Sequence, residues 1–294
     1  MRCDLHVHTT ASGMCNIPLL DRVCRESYND PIALYELLKR RGMDLVTATD
    51  HDSIDAIEPL RRHPDFFLSE EVTCHTPSGT ELHMGVYGIC EADHIQMQQR
   101  RNDLPSLVSY LNQRKLFFSI NHVFSSLTGP RTDSDFAFFE AFFPGMEVLN
   151  GQMLEASNRA AATLARRWQK APVAGSDAHT LHSLGLTFTE IAEARSIPEY
   201  LAGLSAGRGV PHGVSGDYTK LTLAVMEIGW SLVREKSWAA LLAPLFLAVP
   251  AVTLANTLRE YAFEAKWSRR LVAQTPVCAA PTAHAALSGI ASSL

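Results

Sequence analysis

Asp4-Leu5-His6-Val7-His8 and Gly175-Ser176-Asp177-Ala178-His179 each carry two donor side chains at i, i+2 spacing. In an extended strand such positions point the same way. His6 and His8 can therefore reach one ion together, and so can Asp177 and His179. Thr49-Asp50-His51-Asp52, Glu81-Leu82-His83 and Asn121-His122 add further donors in or behind apolar runs. A lone His-x-His is common by chance, but repeated donor-bearing strand ends are not. Imidazole and carboxylate together suit borderline divalent metals. The chemistry expected of such a set is hydrolysis, with a phosphoester as the substrate class.

The flanking polar residues have definite readings. Asp4 lies on the same strand face as His6 and orients a ligand or partners the fold. Asp50 ligates a metal, orients His51 or takes part in catalysis. Asp52 reads as a helix cap before Ser53. Glu70 and Glu71 are adjacent in an apolar run, so only one of them faces the site, and alternation alone does not choose between them. His83 and His122 read as ligands. His75 and His94 are weaker candidates, and His63, His182, His212 and His284 read as surface residues. Arg131, after Gly129-Pro130, and Arg159, near a helix start, could each clamp a phosphate.

The elements that must hold these side chains alternate. Strands are expected at Cys3–Val7, Leu45–Thr49, Phe66–Thr73, Glu81–Ile89, Phe117–Asn121, Met146–Leu149 and Val173–Ser176. Helices are expected over Ile32–Arg41, begun by Asp30-Pro31 and ended by Gly42, and over Ser53–Arg62, Ile95–Arg114 and Glu155–Lys170. That alternation predicts parallel strands with crossover helices, and the donors fall at C-terminal strand ends, where a barrel places its site.

The chain has 294 residues, 46% hydrophobic and 19% charged, with a formal net charge of −5. These values favour a large folded core over disorder and give no basic excess for a nucleic-acid partner. Six cysteines without a Cys-x-x-Cys, and no visible secretory signal, predict free thiols and a cytoplasmic protein. Beyond about Val214 the character changes. Residues 238–255 are almost continuously apolar and approach a membrane span in length. A buried or partner-facing helix pair is the first reading and membrane contact the second. The stretch after Gln274 is rich in Ala, Pro and Ser and is expected to be loose.

In order, the strings DLHVHT, TDHDSI, SEEVT, ELHMGVYGI, NHVF and GSDAHT resemble the polymerase-and-histidinol-phosphatase (PHP) family of metallophosphoesterases. The resemblance covers roughly residues 1–213, leaving 214–294 as a helical, partly apolar extension. It implies an α/β fold, a distorted (β/α)7 barrel, with two or three divalent ions (Mn, Zn or Fe). It also implies that His6, His8, Glu71 and Asp177 hold the first ion. Glu71, His83 and His122 would hold the second, and His51 and His179 the third. Here the resemblance selects Glu71 over Glu70. The sequence departs from the pattern after Ser12. The family commonly places an Asp or His there, whereas Gly13 and Met14 follow here, so Cys15, Asn16, Asp21 or water would have to substitute. The expected activity is phosphoester hydrolysis by a metal-activated water at a di- or trinuclear centre, with Asp177 or His179 moving the proton. The expected substrate is a small phosphorylated molecule, in the widest case a nucleotide or oligonucleotide, without a stable nucleic-acid complex. The alternatives within the family are a 5′-3′ exonuclease or a nucleoside-bisphosphate phosphatase. A non-catalytic metal-binding or regulatory domain is the alternative outside enzymes. An amidohydrolase is disfavoured because no lysine follows a middle strand.

Overall fold

A computed structural model describes residues 1–15 and 20–273, so Asn16, Cys278, His284 and everything from Gln274 onward lie outside the described residues. The fold is mixed α/β with two sheets. The larger contains β2 (Ser69–His75), β3 (Glu81–Tyr87), β4 (Phe117–Ile120), β5 (Gly145–Asn150) and β6 (Ala171–Gly175), in that spatial order. The smaller pairs β1 (Arg2–Cys3) with β7 (Thr187–Glu190) and β7 with β8 (Val210–Gly213), both antiparallel. No closed barrel ladder is found among the described residues. Instead, the extended segments carrying Val7, Val46 and His51 join their neighbours through isolated parallel bridges to Ala178, Phe66 and Glu71.

The expected all-parallel order is corrected. Only β4–β5 and β5–β6 are parallel; β2–β3 and β3–β4 are antiparallel. Residues 76–80 are too few for a crossover, which needs a dozen or more. They close as a turn, in which the Gly79 N–H donates to the Thr76 carbonyl at 2.8 Å. The strand expected over Leu45–Thr49 is reduced to the Val46 bridge.

The helices follow local chemistry. In α1 (Pro31–Arg40) the Asp30 carboxylate accepts from the Ile32 and Ala33 amides, each at 3.0 Å. The expected helix over 53–62 shrinks to α2 (Ile57–Leu60). The expected helix over 95–114 is two, α3 (Glu91–Arg100) and α4 (Leu104–Arg114), because Asp103 caps afresh with Pro105 in the next turn. Then come α5 (Asp133–Phe142), α6 (Glu155–Arg167), α7 (Ile197–Ser205) and α8 (Tyr218–Glu235). A 3-10 segment (Ser237–Ala248) leads into α9 (Val249–Ala273).

The main core packs Met84, Phe118 and Ile120 of the large sheet against Leu111 of α4, Phe136 of α5 and Leu164 of α6. Trp267 of α9 joins it, 4.9 Å from Phe136 between ring centroids. Thr253, Thr257, Glu260, Trp267 and Leu271 are the buried residues of α9, and their spacing defines one helical face. The opposite face is exposed at Val252 and Leu258. Ser237–Leu271 is long and apolar enough to cross a membrane by length and composition, and its apolar 18-residue window has mean hydropathy 2.0 and is 11% buried. Over the 3-10 segment Ala239 is buried while Leu241 and Leu247 are exposed, so of the buried or partner-facing readings this stretch is not buried within the chain itself.

Gly175 positions the first ligand strand. A Cβ there would lie 2.4 Å from the His6 amide nitrogen and 2.3 Å from its Cβ. Gly175→Ala is expected to cost about 1–3 kcal/mol through overpacking and to displace His6. Thermal denaturation paired with metal analysis checks both effects.

Candidate metal centre

Glu71 is the hub of the site. Its Oε2 lies 3.2 Å from His6 Nε2, 3.4 Å from His8 Nε2 and 3.3 Å from His51 Nε2. Its Oε1 lies 3.4 Å from His122 Nε2 and 3.6 Å from His83 Nδ1. Asp177 Oδ1 lies 3.3 Å from His8 Nε2 and 3.5 Å from His6 Nε2. His179 stacks on His8 at 4.3 Å between centroids, and its Nδ1 approaches Asp177 Oδ1 at 3.6 Å. All eight side chains predicted as ligands thus converge. The metal-capable groupings are His6 with His8 and Asp177; His6 with Glu71 and His122; His51 with Glu71 and His83; and His8 with His51 and His179.

Strand pleating puts Glu71 inward. Glu70 faces the other way, where its oxygens meet His94 Nδ1 at 2.8 Å and Gln98 Nε2 at 2.6 Å. The Glu70 carboxylate holds the His94 imidazolium above its ordinary pKa. A raised histidine stabilises the fold fully below its unfolded value, about 6.5, and loses that contribution as pH rises through the folded value. His94→Gln should therefore lower the melting temperature more at pH 6 than at pH 9. Equal losses at both pH values would refute the pairing.

Partners behind the ligands fix their tautomers. His6 Nδ1 donates to Glu147 Oε1 at 2.8 Å, freeing Nε2 for the centre. Glu147 also accepts from the His122 amide and from Asn150 Nδ2. Ser12 Oγ donates to Asp50 Oδ1 at 2.7 Å, so His8 Nδ1, 3.0 Å away, must donate to Ser12. His179 Nδ1 donates to the Asp177 carbonyl at 3.0 Å. Asn121 Nδ2 donates to Glu71 Oε1 at 2.7 Å. Asp4 accepts from the Ser176 and Gly185 amides at 2.7 and 2.8 Å, tying the first ligand strand to the last.

The electrostatics favour the ligand forms. Burial would raise the Glu71 and Asp177 carboxyls, but His6 and the neighbouring imidazoles hold both well below the usual range. Burial, with repulsion from His179 and His51, pushes His8 down to about 3. Two cluster residues, His122 and Asp177, adopt φ of 28° and 51°, a region that non-glycine residues enter rarely.

Several expected residues lie elsewhere. Asp50 spends its oxygens on Thr9 and Ser12 and does not face the cluster. Asp52 caps no helix; it accepts from the Thr73 amide at 3.0 Å and pairs with Arg101. Arg131 is buried, donating to the Glu81 carbonyl and to Thr128 Oγ1, while Arg159 is solvent-exposed beside Glu155. Neither arginine reaches the centre, because loop and helix directions turn both away. Cys15 packs against Cys24 in a small apolar cluster, and Asp21 is exposed. None of His63, His75, His94, His182 and His212 joins a metal-capable group.

Two residues near the ligands escaped the sequence reading. Glu147 carried a signal, a lone carboxylate inside an apolar strand. Glu26 carried none. It lies 3.4 Å from His51 Nε2 and 3.6 Å from His179 Nε2.

The cluster opens into a cavity of about 420 Å³, walled partly by Asp217 and Leu221 of the α8 region and by Asn256, Thr257 and Glu260 of α9. Glu260 is clasped to the body by the Ser126 amide at 3.0 Å and by the Ser126 hydroxyl. No lysine or arginine is among the described lining residues, which include six carboxylates.

The donor set fits divalent cations. His6 Nε2, His8 Nε2, Glu71 Oε2 and His83 Nδ1 are buried without a hydrogen-bond partner, a costly condition unless a cation engages them. Two donors on one ion, each about 2.1 Å away, stand roughly 3.0–3.4 Å apart, close to the separations around Glu71. The fold and this donor set together define an α/β protein with a metal-capable centre. A family model described as PHP-associated matches residues 155–208. The fold is similar to a two-domain protein from Bacteroides vulgatus containing a predicted PHP-like metal-dependent phosphoesterase, with TM-score 0.51 and 17% identity over 72% of this chain and 64% of that one. This chain thus spans under two thirds of that relative. It is also similar to PsfC from Pseudomonas syringae, with TM-score 0.53 and 15% identity over 79% and 97% of the two chains. No curated protein matches the sequence. The comparisons thus show a PHP-like fold and a PHP-associated match over residues 155–208.

Proposed function

We propose that the chain is a metal-dependent phosphoesterase acting on a small phosphorylated molecule at a di- or trinuclear centre of Mn, Zn or Fe. One observation carries the reading: a buried glutamate, Glu71, faces five imidazoles at 3.2–3.6 Å at the base of a cavity that no lysine or arginine lines among the described residues. His6, His8, Glu71 and Asp177 would hold one ion, and Glu71, His83 and His122 a second. His51 and His179 are the remaining pair. Bound divalent ions would neutralise and polarise a phosphoryl group and acidify a water. The chain's own part is to aim the lone pairs, through Glu147 on His6 and Ser12 on His8, and to bound the substrate with α9. Asp177 and His179 border the cavity, and we assign one of them to pass a proton to the leaving oxygen. The acidic walls and modest volume favour a compact ester over a long polyanion. The three isolated bridges support reading the extended segments as the joints of a distorted seven-stranded barrel over 1–213. The five cysteines among the described residues are free, which suits a reducing cytoplasm.

The test loads purified protein with Mn, Zn or Fe and compares small phosphomonoesters, mononucleotides and a labelled oligonucleotide, with His6→Ala as control. Turnover of a small ester that His6→Ala abolishes supports the reading. Equal turnover by both proteins refutes it, and oligonucleotide cleavage alone would make it a nuclease.

A further inference from the structure

We infer that Glu26 supplies the carboxylate ligand of the third metal site, in place of a donor directly after Ser12. The inference rests on the metal-centre reading above and concerns residues of this chain that the family pattern does not indicate. Gly13 and Met14 offer no ligating side chain. The chain instead turns back on itself. Met14 bridges Arg25 in antiparallel fashion, and the Glu26 amide donates to the Gly13 carbonyl at 3.1 Å. Glu26 is thereby held across from the position that lacks a donor.

The segment after it is anchored to both histidine-bearing loops. Ser27 Oγ donates to the His8 carbonyl at 2.9 Å, with the His179 carbonyl at 3.2 Å. Asn29 Nδ2 donates to the His8 and Ala178 carbonyls at 2.9 and 3.0 Å. Those bonds fix where Glu26 begins, and its Oε1 meets His51 Nε2 at 3.4 Å and His179 Nε2 at 3.6 Å. These separations match the donor spacing around Glu71. The side chain lines the cavity and is 22% exposed, leaving open positions on an ion for water or substrate. Filling the site commits His179 to the metal.

The test is metal stoichiometry, read by elemental analysis and calorimetric titration with Mn²⁺ or Zn²⁺ on the full chain. Wild type should bind three equivalents. Glu26→Gln should keep two and lose the third, its affinity falling about 100-fold or more. Glu26→Asp should restore part of that affinity, and Asp21→Asn should match wild type. Unchanged stoichiometry and affinity in Glu26→Gln would overturn the assignment while leaving the two-ion centre standing. A wild-type protein that binds no divalent ion would overturn both this assignment and the function from which it starts.

Discussion

Glu71→Gln is expected to lower phosphoester turnover by about 10³-fold or more, equivalent to roughly 4 kcal/mol of transition-state stabilisation. The amide keeps the shape but removes the charge on which five imidazoles converge, and it puts an N–H where a lone pair is required. Glu71 is also the residue whose two oxygens face different ligand groups, so its loss touches every grouping built on them. Glu70→Gln is the matched control. Its neighbours are His94 and Gln98, and its activity should stay within about tenfold of wild type. Steady-state kinetics and metal content measured on both variants decide the matter. Similar activities for the pair would show that Glu71 is not the bridging carboxylate.

Trp267→Ala should have the largest effect on stability. The indole is 2% exposed, and it packs against Phe136 and, at 6.5 Å, Phe263. Truncating a buried tryptophan costs about 3–5 kcal/mol, a large share of the roughly 5–15 kcal/mol that holds a typical domain together. The loss should begin locally, since the exposed face of α9 contributes little. Limited proteolysis should then cut first within residues 237–273, and urea denaturation should show the reduced midpoint. The KM for any substrate should rise as well, because the loosened helix carries Asn256, Thr257 and Glu260 at the cavity edge. A protein with wild-type protease resistance would mean that α9 is not fastened through this ring.

Much of the centre was legible because period-two geometry is strict. His6 and His8 had to share a direction if extended, and they do; Asp177 and His179 also converge, although Asp177 at φ 51° departs from an extended strand. The choice between Glu70 and Glu71 needed only the inward face, which the structure supplies. Glu26 was hidden because its position depends on hydrogen bonds from Ser27 and Asn29 to residues up to 152 positions away. Arg131 and Arg159 had suitable chemistry, but nothing local says which way a loop or a helix face will turn. The antiparallel β2–β3 hairpin and the break before Leu104 were legible in principle. The first follows from a connection too short for a crossover, the second from Asp103 and Pro105.

Helix α9 presents Trp267 to the core and Thr257 and Glu260 to the cavity from a single face. Inserting or deleting one residue between them would rotate one set about 100° relative to the other, so anchoring and wall could not both survive. Homologues that accept different substrates are therefore expected to differ by exchanges at positions 256 and 257, with the length of this helix held constant between cavity and anchor. Diversification of the pocket would proceed by substitution where most enzymes use loop indels.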